Sequence, residues 1–508
     1  MASPLVLYAL AALFLYAVCR VAVKWFRLRH IPGPRYHGIS LLPLVYKCWR
    51  GRLHEDLRKL FDTYGPIVRI GPNEIVCNDV PTMHRILGSK SPYNKAQWFV
   101  IARLNGDGDT VQSMFDKEQR STRMAQVLPG YAGKDGQSFE GCIDRAIASL
   151  VHLIDTKYIS TGTEFRPLDL ASRFGFFSMD MVGEVAVGQQ FGFMAEDRDW
   201  SNILHTYDMM LPIIQILGNY PWLAKMTYRW PISLLLPKEG DGTGFGAATS
   251  VYMRVIDSRL SQQAPSPKDT KPKHDMLQSF IAHGLGREEL KHEMSLVFLA
   301  GSDTTANALR AAFLCLLSNP AALARLRAEV DGNAGAGTSA HVNTLPYLNA
   351  AVHEALRVYP SVSSSLFHKE VPARGDTLAG RFVPGGTSVG TGGAVFAVCR
   401  SRAIWGDDAD VFRPERWLEA DEGELAEMEA AWGLVFSVGQ FRCLGKQLAL
   451  LALRKVVYEL VRRYDFQAVD PARPASFFSA IVWVWQRFEV RVTRREGQRS
   501  SSTAMAGL

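Results

Sequence analysis

The sequence predicts a mainly α-helical protein with small peripheral β-sheets. With 508 residues, 47% of them hydrophobic, the chain can bury a large core. Apolar residues recur with the period of an α-helix in three long segments, at 137–154, 288–317 and 445–464. Strand patterns are few and short, and they occur at 67–70, 75–77 and 481–492.

The first 19 residues contain no charged side chain. A helix of this length extends about 28 Å, close to the ~30 Å thickness of a bilayer's hydrocarbon core. Basic residues follow between Arg20 and Arg35, which favours a cytosolic position for the rest of the chain. A secretory signal peptide is the alternative, but it would need basic residues before the apolar segment. We predict an N-terminal membrane anchor with its basic flank over 1–29.

Three further segments indicate how the chain is organised. Residues 30–34 (HIPGP) contain two prolines, which restrict the backbone and predict a stiff hinge, with an ordinary loop as the alternative. Residues 262–273 are polar and proline-containing, so we predict an exposed loop between helices. Residues 495–508 are predicted to be a disordered tail.

Composition argues against several classes of protein. Lys and Arg exceed Asp and Glu by 57 to 50, without the dense basic runs typical of nucleic-acid binders. This mild bias favours a membrane surface or an acidic protein partner, and we expect no nucleic acid. Seven cysteines without a Cys-x-x-Cys pair argue against a disulfide framework and a structural zinc site. The sequence also lacks an Asn-x-Ser/Thr sequon, so a cytosolic domain is favoured.

The most informative segment is 436–445 (FSVGQFRCLG), which directly precedes a helical segment. Amide N–H groups and the positive end of a helix near Cys443 would lower the thiol pKa and stabilise a thiolate, which can ligate iron. An isolated cysteine with apolar neighbours is more often an inert core residue. The segment alone therefore leaves both interpretations open.

A second segment, 300–305 (AGSDTT), lies inside an apolar helical stretch. Helix interiors rarely combine Gly, Asp and two Thr, so local propensity disfavours a purely structural role. Locally broken helical hydrogen bonding there would form a groove for dioxygen. The alternative is a polar patch between packed helices.

A third motif places Glu354 and Arg357 three residues apart on a helix, hence on one face. Surface pairs of this kind are common and contribute only about 0–1 kcal/mol, so the pair alone predicts nothing. Segment 412–417 (FRPERW) adds a third partner, Arg416.

Together, these segments resemble the cytochrome P450 family, in particular fungal microsomal members of the pisatin-demethylase-like branch, where Cys-Leu-Gly-Lys recurs. The segments follow the family's order, and the resemblance covers about 31–492. It implies the cytochrome P450 fold, with a haem domain over 30–494 preceded by a single N-terminal transmembrane helix. The family's Phe-x-x-Gly-x-Arg-x-Cys-x-Gly loop is matched at Phe436, Gly439, Cys443 and Gly445.

The resemblance also implies residue roles. Cys443 would be the axial ligand of the haem iron. Asp303 and Thr304 match the acid and the alcohol that relay protons during oxygen activation. The remaining residues, Glu354, Arg357 and Arg416, would form a buried structural cluster near the cysteine loop.

The chain departs from the family at Phe441, where relatives carry an Arg that pairs with a haem propionate. A phenyl ring forms no ion pair, so we expect other residues to take this role. Arg123 is one candidate, because 119–123 resembles the family's Trp-x-x-x-Arg helix with Gln in place of Trp. His368 is another, because it follows the Glu-x-x-Arg helix at a position where many relatives carry Arg.

The implied activity is that of a haem b monooxygenase that inserts one oxygen atom of O2 into a lipophilic small molecule, in fungal secondary metabolism. No flavin or dinucleotide module is evident in the sequence, so electrons from NADPH would arrive through a separate NADPH-cytochrome P450 reductase, with cytochrome b5 as an optional second donor. The anchor implies the endoplasmic reticulum membrane. Two alternatives stay open: a P450-fold isomerase or dehydratase acting without O2, and a non-catalytic haem- or sterol-binding membrane protein.

By the same resemblance, five segments rich in apolar and aromatic residues supply the substrate pocket, which indicates a lipophilic substrate. They are 93–111, 203–216, 298–304, 362–367 and 477–484.

Overall fold

The structure of the protein, a computed structural model, describes residues 4–103, 108–135, 138–236, 238–261, 274–333, 335 and 337–495. The predicted loop 262–273 lies outside the described residues, as does the predicted tail beyond Arg495. Part of one predicted pocket segment, 104–107, also lies outside them.

Helices dominate the described part of the chain. The first ten are α1 (Pro4–Arg27), α2 (Leu42–Trp49), α3 (Leu53–Tyr64), α4 (Val80–Leu87), α5 (Lys117–Ala132), α6 (Phe139–Leu153), α7 (Leu170–Val187), α8 (Phe193–Glu196), α9 (Ile203–Asn219) and α10 (Pro221–Thr227). The next are α11 (Gly244–Ser261), α12 (Met276–Ala282), α13 (Arg287–Leu317), α14 (Pro320–Gly332), α15 (Ser339–Asn343), α16 (Pro346–Val358), α17 (Val395–Val398), α18 (Arg402–Trp405), α19 (Arg416–Glu419), α20 (Glu422–Gly433) and α21 (Lys446–Arg463). Short 3-10 helices occur at Arg35–Gly38, Gln97–Ala102, Trp200–Asn202, Ile232–Leu235, Leu434–Phe436 and Gly439–Phe441, and a π-helical turn at Ile154–Tyr158.

The strands form four small sheets among the described residues. They are β1 (Ile67–Arg69), β2 (Glu74–Cys77), β3 (Asn94–Lys95), β4 (Pro167–Asp169), β5 (Lys369–Glu370), β6 (Asp376–Leu378), β7 (Arg381–Val383), β8 (Ser388–Gly390), β9 (Tyr464–Ala468), β10 (Ser476–Ala480), β11 (Val482–Arg487) and β12 (Glu489–Arg494). Their orders are β1-β2-β8-β5-β3, β4-β12-β9, β10-β11 and β6-β7. The prediction of a mainly helical fold with small sheets is confirmed.

The three long helical segments predicted from periodicity correspond to α6, α13 and α21. The prediction of one closing strand over 481–492 is wrong in detail. The segment forms two strands, because the buried Phe488 separates β11, which pairs with β10, from β12, which pairs with β4 and β9. Each strand thus belongs to a different sheet.

Helix α13 is the central element of the core, 31 residues long and buried over most of its length. Its acidic first turn, with Glu288 and Glu289, suits the positive end of the helix, and the Glu289 carboxylate accepts the Gly286 N–H. It packs against α7, α11, α16 and α21. This packing places α13, which contains the AGSDTT segment, against α21, which follows the cysteine loop.

The segment after α1 is fixed against β1. The Arg69 N–H donates to the Pro32 carbonyl (2.8 Å), and the Arg69 guanidinium donates to the Trp25 (3.0 Å) and Lys24 (2.9 Å) carbonyls at the end of α1. A Cβ on Gly33 would lie 2.6 Å from the Arg69 carbonyl oxygen, so only glycine allows this approach. The predicted hinge is therefore held by the first sheet.

In the part of the chain that the structure describes, no single helix meets the length and hydropathy expected of a membrane span. Helices α13 and α14 meet these criteria only as a pair bent by 106°. The transmembrane role of α1 stays a prediction.

Candidate active site

Cys443 lies in a tight loop directly before α21. Its backbone N–H donates to the Phe436 carbonyl (2.7 Å), which closes the loop. Its Sγ accepts hydrogen bonds from the backbone amides of Gly445 and Lys446, at the positive end of α21. The side chain is accessible to solvent although protein surrounds it, so the sulfur faces a recess.

Burial raises the pKa of the Cys443 thiol above its ordinary value, whereas the two amides and the Lys446 ammonium act in the opposite direction. The sequence-based expectation of a lowered thiol pKa is therefore wrong for the free side chain, because desolvation outweighs the helix end. A coordinating metal ion deprotonates a thiol outright. The two amide donors would then stabilise the resulting thiolate.

Two glycines shape this loop for different reasons. Gly439 has φ +59°, and a Cβ there would lie 2.4 Å from the Leu87 carbonyl oxygen, so the loop approaches α4 too closely for a side chain. A Cβ on Gly445 would meet only the Cys443 Sγ, at 4.0 Å. The space beside the sulfur is thus open.

The AGSDTT segment runs through α13 without a break. The predicted loss of helical bonding does not occur. Instead, the Thr304 Oγ1 donates to the Ala300 carbonyl (2.7 Å) and the Ser302 Oγ to the Phe298 carbonyl (2.5 Å), a local pattern that satisfies hydroxyls inside a helix. Ala300 and Thr304 are accessible to solvent, whereas most of α13 is buried, so this face of the helix borders open space, which we call the cavity.

Asp303 lies on a buried side of the same helix. Its Oδ1 is 3.7 Å from the Arg310 Nη1, and its Oδ2 has no hydrogen-bond partner among the described residues. Burial raises the pKa of Asp303 to about 7, Arg310 lowers it, and the nearby Asp208 raises it further. A carboxyl with such a pKa can both hold and release a proton near neutral pH.

Sequence reasoning missed Arg310 and Asn307, which follow Asp303 by seven and four residues on α13. The buried Arg310 Nε donates to the Ala171 carbonyl (2.8 Å). The fully buried Asn307 amide has no hydrogen-bond partner for its nitrogen or oxygen within the described chain. The sequence does contain a signal for these residues, because Asp303, Asn307 and Arg310 are polar residues repeated at helical spacing inside an apolar segment.

The structure brings Glu354, Arg357 and Arg416 together in a fully buried cluster. The Arg357 Nε and Nη2 donate to the two Glu354 oxygens (2.8 and 2.7 Å), and the Arg416 Nε donates to Oε1 (2.9 Å). The Trp417 Nε1 donates to Oε2 (2.9 Å). Arg357 also donates to the Cys399 carbonyl (2.6 Å), so the cluster joins α16 to the segments that precede the cysteine loop.

Glu354→Gln is expected to lower the free energy of unfolding by about 3–5 kcal/mol, because Arg357 and Arg416 would stay buried without their carboxylate. Chemical denaturation followed by circular dichroism measures this. Glu55→Gln is the matched control, because Glu55 pairs with Arg52 at the same i, i+3 spacing on the surface. It should cost about 0–1 kcal/mol. Equal losses would show that the buried cluster does not stabilise the fold.

The two predicted propionate partners lie in different surroundings. The Arg123 guanidinium pairs with Glu289 and with the buried Glu293 (3.3 Å). His368 is buried, and neither ring nitrogen has a hydrogen-bond partner among the described residues. The propionate role of both residues stays a prediction.

Comparison with known sequences identifies the family. The sequence model of Cytochrome P450 matches residues 32–492. The chain belongs to the cytochrome P450 family. As a cytochrome P450 it is an oxidoreductase with a haem cofactor, a redox partner and a small-molecule substrate.

Its relatives are named monooxygenases. Cytochrome P450 monooxygenase ABA1 of Pyricularia oryzae (strain 70-15) is 32% identical over 501 residues, which cover 96% of each chain. Cytochrome P450 monooxygenase aba1 of Botryotinia fuckeliana (strain B05.10) is 32% identical over 480 residues, 92% of each chain. Cytochrome P450 monooxygenase abl1 of Leptosphaeria maculans is 30% identical over 488 residues, 93% of this chain and 84% of the relative.

The residues around Cys443 fit the haem that the family implies. The accessible sulfur, the open space beside Gly445 and the two amide donors suit an iron-bound thiolate. The accessible face of α13 at Ala300 and Thr304 suits the opposite wall of such a site. The loop of Cys443 leads directly into α21, and α21 packs against α13.

Proposed function

We propose that this cytochrome P450 is a haem-thiolate monooxygenase that inserts one atom of O2 into a lipophilic small molecule. Cys443 would hold haem b in the loop shaped by Phe436, Gly439 and Gly445. The haem, when bound, supplies oxygen activation, which a thiolate ligand favours. The proposal rests on one observation: the loop of Cys443 leads directly into α21, and α21 packs against α13, whose accessible face carries Thr304 and whose buried side holds Asp303.

Asp303 and Thr304 are proposed to deliver protons to the cavity. Asp303 holds a proton at its carboxyl near neutral pH because burial raises its pKa to about 7. The Thr304 hydroxyl faces the cavity, and by turning away from the Ala300 carbonyl it can pass a proton on. The unpartnered amide of Asn307 and Oδ2 of Asp303 would be satisfied by a bridging water between them. Arg310 would keep Asp303 in place.

The substrate pocket is proposed to lie between α9 and the β10-β11 hairpin. A separate apolar cluster forms there from Leu211, Val482 and Val484, with Tyr207 and Val362 packed against it. Val362 also bridges Val482 across the backbone. An apolar lining with few polar groups suits a lipophilic substrate. The fungal relatives and the resemblance to the pisatin-demethylase-like branch favour secondary metabolism.

Electrons are proposed to come from NADPH through NADPH-cytochrome P450 reductase, with cytochrome b5 as an optional second donor. The chain carries a formal charge of +7, and Arg442, next to Cys443, is exposed. A basic surface at the cysteine loop would attract an acidic partner.

A reconstituted assay tests the proposed reaction. The full chain, the reductase and candidate lipophilic precursors are incubated with NADPH under isotopically labelled O2, and products are analysed by mass spectrometry. We expect one labelled oxygen atom per product and no product without NADPH. An isomerase or dehydratase would form unlabelled product without NADPH, and a binding protein would form none.

The endoplasmic reticulum location with a single N-terminal anchor is also a proposal. The side chains of Phe14 and Leu13 on α1 are 73% and 65% exposed, so the fold itself does not cover this apolar helix. Basic residues follow it, as expected for a cytosolic flank. Arg69 holds the end of the helix against the domain through the Lys24 and Trp25 carbonyls.

Deleting residues 1–22 is expected to move most of the protein from the microsomal to the soluble fraction, because it removes the apolar helix but keeps the Lys24 and Trp25 carbonyls that Arg69 binds. Ultracentrifugation followed by immunoblotting measures this. The spectrum of the carbon monoxide complex should be retained, which controls for folding. An unchanged membrane fraction would refute the anchor.

A further inference from the structure

Two cationic side chains lie over the ring of Phe441, the residue that replaces the family's Arg, and a third lies beside one of them. The Lys369 Nζ lies 4.1 Å and the Arg120 Cζ 5.1 Å from the centre of the Phe441 ring. Lys95 is the direct neighbour of Lys369 across the β3-β5 pair. We call Lys95, Arg120 and Lys369 the Phe441 cation cluster.

No member of the Phe441 cation cluster forms an ion pair with a carboxylate of the described chain. The Lys369 Nζ donates to the Phe367 carbonyl (2.9 Å), and Arg120 donates to the Gln440 side chain (2.8 Å). Asp109 and Glu293 act on Lys95 only at longer range. The Lys95 Nζ donates hydrogen bonds to the carbonyls of Val111 (3.0 Å), Gln112 (2.5 Å) and Met114 (3.2 Å).

The two buried lysines of the cluster would stay protonated in the presence of an opposite charge. Lys369 and Lys95 are only 2% and 7% exposed. Burial, followed by repulsion from Arg120, lowers the pKa of Lys95 to about 7, and burial with repulsion from Lys95 and Arg120 lowers that of Lys369 well below its ordinary value. Unpaired buried charges are strongly unfavourable, whereas a carboxylate among them would stabilise all three.

The two residues expected from the sequence are less suited to bind an anion. The Arg123 charge is already balanced by Glu289 and Glu293. Burial and the neighbouring Lys369 lower the pKa of His368 to about 3, so its ring is neutral and contributes a hydrogen bond at most. The Phe441 cation cluster, in contrast, has no carboxylate partner among the described residues, and a bound carboxylate would raise the lowered pKa values of its two lysines and keep them protonated.

Phe441 is two residues from Cys443, so the cluster borders the region where the haem would lie. Haem carries two propionate carboxylates. We propose that Lys369 and Arg120, with Lys95 beside them, bind the haem propionates and replace the Arg that is absent at Phe441. This inference rests on the proposed haem-thiolate function.

The test uses the full-length holoenzyme and the variants Lys369→Met and Arg120→Met. Resonance Raman spectra report the propionate bending modes, and haem transfer to apomyoglobin reports haem retention. We expect shifted propionate modes and haem loss about tenfold faster or more, the size expected when a charged hydrogen bond is removed. The thiolate-type carbon monoxide spectrum should persist. Lys369→Arg should restore the wild-type behaviour.

Lys455→Met is the matched control, because Lys455 is equally buried but pairs with Glu140 and Asp144 elsewhere. It should leave the propionate modes unchanged. The inference would be overturned if both cluster variants kept the wild-type propionate modes and the wild-type rate of haem loss. It would also be overturned if only Arg123→Gln shifted the propionate modes.

Two further outcomes identify what else has failed. A wild-type protein without thiolate-ligated haem would contradict the proposed function itself. If Lys369→Met instead weakens binding of lauric acid but not of methyl laurate, with unchanged propionate modes, the anion is a carboxylic substrate and the haem assignment is wrong.

Discussion

Replacing Cys443 with alanine is expected to abolish the thiolate-type Soret band of the reduced carbon monoxide complex. Five of the other six cysteines are buried, and burial raises the pKa of each of their thiols. The sixth, Cys19, is exposed on α1, away from any loop that precedes a helix start. Only Cys443 combines an accessible sulfur with two amide donors at a helix end.

Two further variants separate loss of the ligand from loss of the fold. Cys315→Ala removes a buried thiol from α13 and should leave the spectrum thiolate-type. Cys443→His places an imidazole in the same loop, so bound haem would show a nitrogen-ligated spectrum instead. A thiolate-type spectrum in Cys443→Ala would mean that another residue ligates the iron.

Local patterns explain why much of the fold was predictable. Apolar residues recur at the helical period in α13 and α21, and the predicted bounds of both helices agree with the structure within a residue or two. The spacing of Glu354 and Arg357 fixes them on one helix face, and their mutual pairing follows. The division of 481–492 into two strands depends on partners more than 300 residues away in the chain, as for β4, and periodicity carries no information about them.

The basic residues of α5 show why the site was only partly predictable. Arg120 and Arg123 are three residues apart, so the motif alone leaves open which of them faces the cysteine loop. The answer depends on Glu289 and Glu293, which bind Arg123 from α13 and leave Arg120 for Phe441. Interactions between distant segments thus decide which cation stays unpaired.

The second large effect concerns Asp303 and Thr304. Neither residue contributes to the loop that would ligate the iron, so Thr304→Ala and Asp303→Asn should retain the thiolate-type spectrum and the substrate-induced spectral shift. Product formation should fall about 100- to 10,000-fold, the usual effect of removing a general acid or base. Electrons from NADPH would appear as hydrogen peroxide instead of product.

Thr305→Ala is the matched control for Thr304→Ala. Thr305 is the adjacent residue of the same segment, but it is buried on another side of α13 and does not face the cavity. Thr305→Ala should leave product yield per NADPH nearly unchanged. Thr304→Ser, which keeps the hydroxyl, should give most of the yield that Thr304→Ala loses. Equal losses in Thr304→Ala and Thr305→Ala would assign a structural role to the segment.

The pH dependence separates proton delivery from packing. Burial, opposed by Arg310 and aided by Asp208, raises the pKa of Asp303 from 3.8 to about 7. The protonated fraction of Asp303 therefore falls as the pH rises through 7, and product yield per NADPH should fall with it in the wild type. Asp303→Asn cannot titrate, so its low yield should not change over this range. The assay buffer sets the pH between about 6 and 8. If the wild-type product yield per NADPH stays constant over this range, protons reach the cavity by another route.

The same shift makes a prediction about stability with a defined sign. Because the pKa of Asp303 is higher in the folded than in the unfolded protein, the folded state gains protons relative to the unfolded one. Its stability therefore decreases as the pH rises from about 4 to about 7. Asp303→Asn lacks this titration, so its free energy of unfolding relative to the wild type should rise across that window. If Asp303→Asn is at least as stable as the wild type at pH 8 but still gives less product per NADPH, the defect lies in proton transfer and not in the fold.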